Sequence, residues 1–413
     1  MNTYRIAGID VHKKMLAVVV TDIAGKGEPV FERRKFGATP EQVRLLSEWL
    51  IHENVQAVVM ESTAQYWKPV WRELEGKCEL NLAQARSNRG PRGRKRDFVD
   101  AERLVRRFVA GELILSFVPD REQRLWRTLT HAKQQLSKDK TRVLNQIESF
   151  LEDARIKLSS FVSALKGASS RRILKALSKG ETDPGELAAL ADRGLQATPE
   201  QLRDALSEAA TLEASYRSVL ALFLSRLEMI EDQIAKLDAL IAERLREHND
   251  AVVRLAEIPG LGADSAQQII AEVGPEAATF PSASQMASWI GVCPGRQESA
   301  EVSKSDRSPK GNRPMRRILN QAANAAIKAK GCTFQILYQR WVARLGHKQA
   351  IWAVAHRMAR VIWKILHARI PYEERGVRTN PAAAKKRAYR LVSQLRRLGY
   401  DVQLVSREPA ITA

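Results

Sequence analysis

The sequence predicts an α/β domain at the N-terminus, a long helical middle region and a mainly helical C-terminal domain. Three observations carry this reading. Five short runs rich in Val, Ile and Leu fall within the first 83 residues, apolar side chains recur every seven positions between about Asp120 and His248, and helical patterns joined by a Pro/Gly turn follow Ala251. The 413 residues are 44% hydrophobic and 28% charged, enough apolar material for two or three packed domains and unlike a disordered chain.

Arg5–Asp10, Met15–Thr21, Val30–Phe36, Gln56–Met60 and Cys78–Ala83 read as strands. Pro40–Glu53 carries Val43, Leu46 and Leu50 at helical spacing, and a second helix separates the last two strands, so the sheet should be mixed. Further on, Leu129, Leu136, Val143 and Phe150 form one heptad row, and Leu220, Leu227, Ile234 and Ile241 form another, with Phe223, Ile230 and Leu237 beside it. Two antiparallel helices in a coiled-coil arm or dimer interface satisfy both rows, and so do two amphipathic helices of an ordinary bundle. The turn-rich Lys179–Gly185 lies between them. The expected segments are therefore 1–118, 119–250, 251–370 and a basic extension, 371–413, in which Lys385, Lys386, Arg387, Arg390, Arg396 and Arg397 share a helix.

Lys and Arg total 67 against 47 Asp and Glu, a net charge of +20, which points to a polyanionic partner. No apolar run reaches the length of a bilayer span and no signal-like apolar stretch precedes the first strand, so membrane association is not expected and a cytosolic protein is. Cys78, Cys293 and Cys332 show no CxxC spacing, which leaves zinc and disulfides without support.

Asp10 ends the first strand in GIDVHK, and Glu61 ends another in AVVMES. Strand ends in α/β sheets are where functional crevices form. Asp97 and Asp100 are three apart in a helical pattern, which puts both on one face. Convergence of four carboxylates would require a divalent cation, Mg²⁺ or Mn²⁺ for so oxygen-rich a set. Structural alternatives exist: an Asx turn at Asp10, a surface Glu61, a helix cap at Asp97. Six cations, Arg86, Arg89, Arg92, Arg94, Lys95 and Arg96, directly precede the helical pair and would draw phosphate toward it. GID before a hairpin also opens actin-like ATPase and sugar-kinase domains, but their phosphate loop needs Gly where this chain has His12. His12 itself reads as a turn or core residue.

In LAEIPGLGADSAQQIIAEVG, Gly260 and Gly262 separate two helical stretches, as in a helix-hairpin-helix that brings backbone N–H groups to a phosphate. A plain turn between helices uses glycine too. Beyond it, Ser299 stands in a polar loop before Lys304, Arg307, Lys310, Arg313, Arg316 and Arg317. A serine hydroxyl beside cations is a candidate nucleophile for phosphoryl transfer, though residue chemistry alone leaves Ser303, Ser305 and Ser308 equally eligible.

Taken in order, GID, the strand ending in Glu61, the DxxD helix after a basic loop, PGLG, and GVCPGRQESAEVSK followed by KGNRPMRRILNQAA resemble the DEDD-type transposases of the insertion sequence 110 family over most of the chain. The resemblance implies a ribonuclease H-like, RuvC-like N-terminal domain whose metal-binding tetrad falls on Asp10, Glu61, Asp97 and Asp100. It also implies a coiled-coil arm and a C-terminal transposase domain with its nucleophile at Ser299. That family's motif ends Ser-Gly, whereas Ala300 follows here. By the same resemblance the enzyme is a Mg²⁺-dependent recombinase, a homodimer or homotetramer acting on donor and target DNA under the direction of a noncoding bridge RNA. The segment from about Ser159 to Ser215 is longer than such an arm leads one to expect. The rivals are a hydrolytic two-metal nuclease and a non-catalytic assembly protein that binds nucleic acid.

Overall fold

A computed structural model describes residues 4–23, 29–62, 64–85, 87–88, 97–162, 164–192, 194–294, 297–299, 302–305, 308, 310–374, 389 and 392–393. The chain divides into two compact units, Met1–Asp120 and Arg121–Ala413.

The first unit runs β1 (Arg5–Val11), β2 (Met15–Asp22), β3 (Glu32–Gly37), α1 (Pro40–His52), β4 (Ala57–Glu61), α2 (Trp67–Leu74), β5 (Glu79–Ala83), α3 (Asp97–Val109) and β6 (Leu115–Ser116). Its sheet has the order β3-β2-β1-β4-β5-β6. The first three strands form an antiparallel meander, while β4 and β5 join β1 in parallel. Parallel neighbours need crossover connections, which α1 and α2 supply. An antiparallel meander followed by parallel strands in this order is the ribonuclease H-like arrangement. The strands follow the sequence reading within two residues; β6, only two residues long, has no sequence signature.

Alternation along the strands gives the sheet two apolar faces. Ala7, Ile9, Val11, Val58 and Met60 point to one, which α1 covers with Val43, Leu46 and Leu50 and α2 with Val70 and Leu74. Ile6, Val19, Ala57, Val59 and Ala83 point to the other, covered by Ala101, Leu104 and Val105 of α3. Pro40 at its first turn and an extended Thr39 before it start α1 where the chain leaves β3.

The second unit opens with α4 (Arg121–Asp153), then α5 (Leu158–Phe161), α6 (Ala168–Ser178), α7 (Pro184–Ala189), α8 (Pro199–Ala205) and a 3₁₀ turn (Ser207–Thr211). The long α9 (Ala214–Arg244) returns along α4. The rings of Tyr216 and Phe223 lie 5.5 and 5.9 Å from that of Phe150, Glu231 pairs with Lys140 at 2.7 Å, and Asp238 pairs with Lys133. Partners thus ascend on one helix as they descend on the other, so the two are antiparallel. Val143, Ile147 and Leu151 of α4 and Leu220, Leu224 and Leu227 of α9 are buried with Ile173, Leu177, Leu187 and Leu202 of the intervening helices. The heptad rows are therefore only part of the contact, because the intervening helices cover a second face of the pair.

Beyond a 3₁₀ turn (Arg246–His248) come α10 (Asn249–Ala256), α11 (Ala263–Val273), α12 (Ala283–Ile290), β7 (Gln297–Ser299), β8 (Val302–Ser305), α13 (Arg313–Ala326) and α14 (Thr333–Ala368). Leu255, Ile269, Met286, Leu319, Val354 and Ile362 belong to one core that also takes in Trp126 of α4. Within α14 the backbone breaks at Gly346, where φ is +73°. The basic helix expected in 371–413 lies outside the described residues except for 371–374, 389, 392 and 393. Among the described residues, no helix is long and apolar enough to cross a membrane.

Candidate active site

Strand parity places the first two acids. Ile9 of β1 and Met60 of β4 are register partners, so Asp10 and Glu61 follow side by side at the C-terminal ends of adjacent parallel strands. Asp10 shares parity with Ile6 and Glu61 with Ala57 and Val59, so both stand on the face that α3 covers. Asp97 and Asp100 occupy the first turn of α3. Gly8 makes the approach possible: a Cβ there would stand 2.5 Å from the Ala101 carbonyl oxygen and 2.7 Å from Val105 Cγ2. The helix rests on β1 at a residue with no side chain.

The tightest cluster holds Asp10, Asp97 and His12. One potential ligand atom from each lies within 4.8 Å of the others, with His12 Nε2 at 3.0 Å from Asp10 Oδ2 and 3.5 Å from Asp97 Oδ1. Lys35 Nζ is 3.7 Å from Asp97 Oδ2. The other two acids stand beside this cluster with partners of their own. Glu61 Oε2 accepts from Asn88 Nδ2 at 2.9 Å, and Asp100 is paired with Arg103. Burial pushes the Asp10 carboxyl above its ordinary value; His12 opposes this, and the charges of Asp100 and Glu61 add to it. Two half-buried carboxylates, an imidazole and two more acids close enough to disturb the first make a donor set that fits a hard or borderline divalent cation.

His12 is in the turn that the sequence reading gave it, its N–H donating to Met15 O at 3.0 Å. Its imidazole is nonetheless part of the acidic cluster, a place that reading missed. The signal was the Asp-x-His spacing at a strand end, since residues two apart on an extended chain share a face. Asn88 had no sequence signal, while the signal for Arg103 was its spacing of three from Asp100 on one helix. Arg86, Arg89, Arg92, Arg94, Lys95 and Arg96 lie outside the described residues.

In the second unit, Ser299 is the last residue of β7 and the register partner of Val302, so it ends a strand of a two-stranded hairpin. The sequence reading gave a loop. Ser303 opposes Glu298 and Ser305 opposes Gln297, so the three serines differ in distance from the turn. Lys304 lies on β8, Lys310 and Arg313 are exposed, and Arg316 and Arg317 are half-buried on α13. Arg316 donates to Gly291 O and stacks over the Trp352 ring at 4.4 Å, while Arg317 donates to Gln268.

The two PGLG glycines differ. Gly260 has φ +87°, and a Cβ there would collide with the Ala322 carbonyl oxygen of α13, so packing demands this glycine. Gly262 precedes α11, where a Cβ would meet nothing within 4 Å. Asp264 in the first turn of α11 pairs with Lys133.

A family model described as "Transposase IS116/IS110/IS902 family" matches residues 252–339, and another, a "Transposase" model of the DEDD type from the same insertion-sequence group, matches residues 7–156. The chain is similar to the "Insertion element IS900 uncharacterized 42 kDa protein" of Mycobacterium paratuberculosis, 26% identical over 156 residues, 38% of this chain and 39% of that one. It is also similar to the "Insertion element IS110 uncharacterized 43.6 kDa protein" of Streptomyces coelicolor, 29% identical over 153 residues and 37% of either chain. These alignments span 39% and 37% of the two relatives' lengths. Among solved structures, the RuvC of Thermus thermophilus aligns over 27% of this chain and 99% of its own, with 13% identity and a TM-score of 0.22.

Proposed function

Because the chain belongs to the IS116/IS110/IS902 family of transposases, we propose that it cuts and rejoins DNA as a site-specific recombinase of an insertion sequence, with Ser299 as nucleophile. The observation that carries the reading is the seating of Asp10 and Glu61 on adjacent strand ends, facing the turn of α3 that bears Asp97 and Asp100.

In this reading Asp10, Asp97 and His12, with Glu61 and Asp100 beside them, hold Mg²⁺ or Mn²⁺. Such an ion, when bound, polarises a phosphoryl oxygen and offsets the charge that develops in the transition state. Lys35 and Arg103 hold Asp97 and Asp100. The Ser299 oxygen forms a bond to phosphorus while the bond from phosphorus to the departing strand breaks. The serine proton passes to the departing oxygen, leaving a strand with a free hydroxyl. Attack of a hydroxyl from the second DNA on the phosphoserine reverses the exchange and restores the serine, so the phosphodiester bond is conserved. The acids and the serine belong to different units, and the family resemblance supports their working across subunits of a homodimer or homotetramer. Leu222, Met229 and Leu240 leave an exposed apolar row on one face of α9 for a second copy to cover. The basic charge near Arg86–Arg96 and Lys304–Arg317, with PGLG, takes the backbones of DNA and of a noncoding guide RNA.

A suicide substrate nicked beside the cleavage site tests this directly. The wild-type protein should retain DNA through denaturant, Ser299→Ala should not, and Ser303→Ala and Ser305→Ala should retain it. Cleavage at the wild-type rate by Ser299→Ala would leave the carboxylate site acting alone, as a hydrolytic nuclease.

A further inference from the structure

Outside the acidic cluster, the most enclosed ionic group among the described residues is the side chain of Glu272, near the C-terminal end of α11 and 3% exposed. Burying a carboxylate is costly unless several donors surround it. Three do. His131 Nε2 lies 2.6 Å from Oε1, Asn312 Nδ2 donates to Oε2 at 2.9 Å, and Arg127 Nε lies 3.7 Å from Oε2. Arg127 also donates to the main-chain carbonyls of Ala271 and Glu272, and Gln123 donates to that of Ala271. The first turns of α4 thus hold the end of α11, and the Glu272 carboxylate carries that hold on to Asn312.

Asn312 is the N-cap of α13, the helix that follows the β7–β8 hairpin. Its Oδ1 accepts from Met315 N at 2.8 Å, so the donation of its Nδ2 to Glu272 fixes which way the amide faces. The chain before the hairpin and the chain after it meet at this point. Asn312 N donates to Trp289 O at 3.1 Å, Arg316 donates to Gly291 O, and Gly311 packs where any Cβ would strike the Ile290 carbonyl. Nothing about the peptide AEVG forecasts this. An acid in an amphipathic helix ordinarily faces water, and a surface acid would need none of these donors.

We propose that Glu272 is a positioning residue for Ser299: through Asn312 it sets the base of the β7–β8 hairpin against α4, so that the arm helix and the serine move as one body. The inference rests on the reading of Ser299 as nucleophile.

A reciprocal pair of substitutions tests it in the full-length protein with its nucleic acids. Asn312→Asp keeps the cap acceptor but sets a second carboxylate against Glu272. Adduct formation at saturating DNA should slow by about tenfold or more, with half-saturating DNA unchanged. Amide hydrogen exchange should quicken in 297–305 and 313–316. Glu272→Gln alone should cost a few-fold. The double variant Glu272→Gln/Asn312→Asp restores the link with donor and acceptor exchanged, and should recover to within about threefold of wild type in rate and in exchange, a non-additive result expected only of directly coupled residues. A double variant as slow as the product of the single losses, or hairpin exchange indifferent to Asn312→Asp, overturns the positioning role while leaving the serine reading intact. Absence of any Ser299-dependent adduct in the wild type overturns the serine reading and this role with it.

Discussion

Glu272 and Asp10 are both carboxylates taken partly out of water, and their surroundings drive them in opposite directions. Burial raises each, but around Glu272 the His131 hydrogen bond, the Arg127 charge and the Asn312 amide outweigh it and hold the carboxyl below its ordinary 4.5. A depressed acid stabilises the fold above its ordinary value, and that contribution is lost as pH falls through the depressed one. The urea midpoint of wild type should therefore fall more than that of Glu272→Gln between neutral pH and pH below 4.5. Equal losses in the two proteins would show that the carboxylate contributes nothing through its charge. Asp10→Asn or Asp100→Asn should abolish strand cleavage while leaving nucleic-acid affinity nearly unchanged, as cleavage and binding assays with Mg²⁺ will decide; near-normal cleavage by both would remove the metal site from the mechanism. That Asp10 and Glu61 stand at strand ends and that Asp97 and Asp100 share a helix turn could be read from sequence, because strand ends and helix spacing are local patterns. His12 was half legible, its turn evident and its neighbours not. Asn88 and Glu272 acquire their roles only when segments far apart in sequence meet, and no local pattern encodes that meeting, whereas Arg103 reaches Asp100 across one turn of the same helix.

At the scale of elements, the contact of α3 with β1 decides the site. Only the missing side chain of Gly8 lets the Ala101 carbonyl come so near. Gly8→Ala should destabilise the protein by about 1–3 kcal/mol, since a methyl group forced into a packed layer displaces its neighbour. The same displacement carries Asp97 and Asp100 with it, so Mn²⁺ affinity measured by calorimetry should drop as well. Unchanged Mn²⁺ binding would mean that α3 can shift without the acids following. The strands and α1 were legible because period-two and helical apolar patterns are strong in this chain, with Pro40 marking the start of α1. The β7–β8 hairpin was not. Its strands, QES and VSKS, carry almost no apolar alternation, and cross-strand hydrogen bonding leaves no trace in composition.

Charge is a property of the whole molecule. With 67 Lys and Arg against 47 Asp and Glu, nucleic-acid binding should weaken steeply as salt rises, giving a log–log slope of at least several units. A slope near zero would refute binding dominated by phosphate contacts. The antiparallel course of α4 and α9 was also legible in the heptad rows, whereas the helices between them, which bury a second face of both, were not. The 33 residues of α4 extend about 50 Å, yet the chain comes back to its origin. Trp126 and His248 meet with ring centroids 5.2 Å apart, and Lys133 joins Asp238 to Asp264. Covalent continuity at the far end should therefore be dispensable. A protease cut beside the exposed Gln196 would yield two fragments, one bearing α4 and the other α9, each still seated in the same two cores. The nicked protein should elute as a single particle and come apart only in denaturant, so the tip is where the gene could be split into two separately expressed halves.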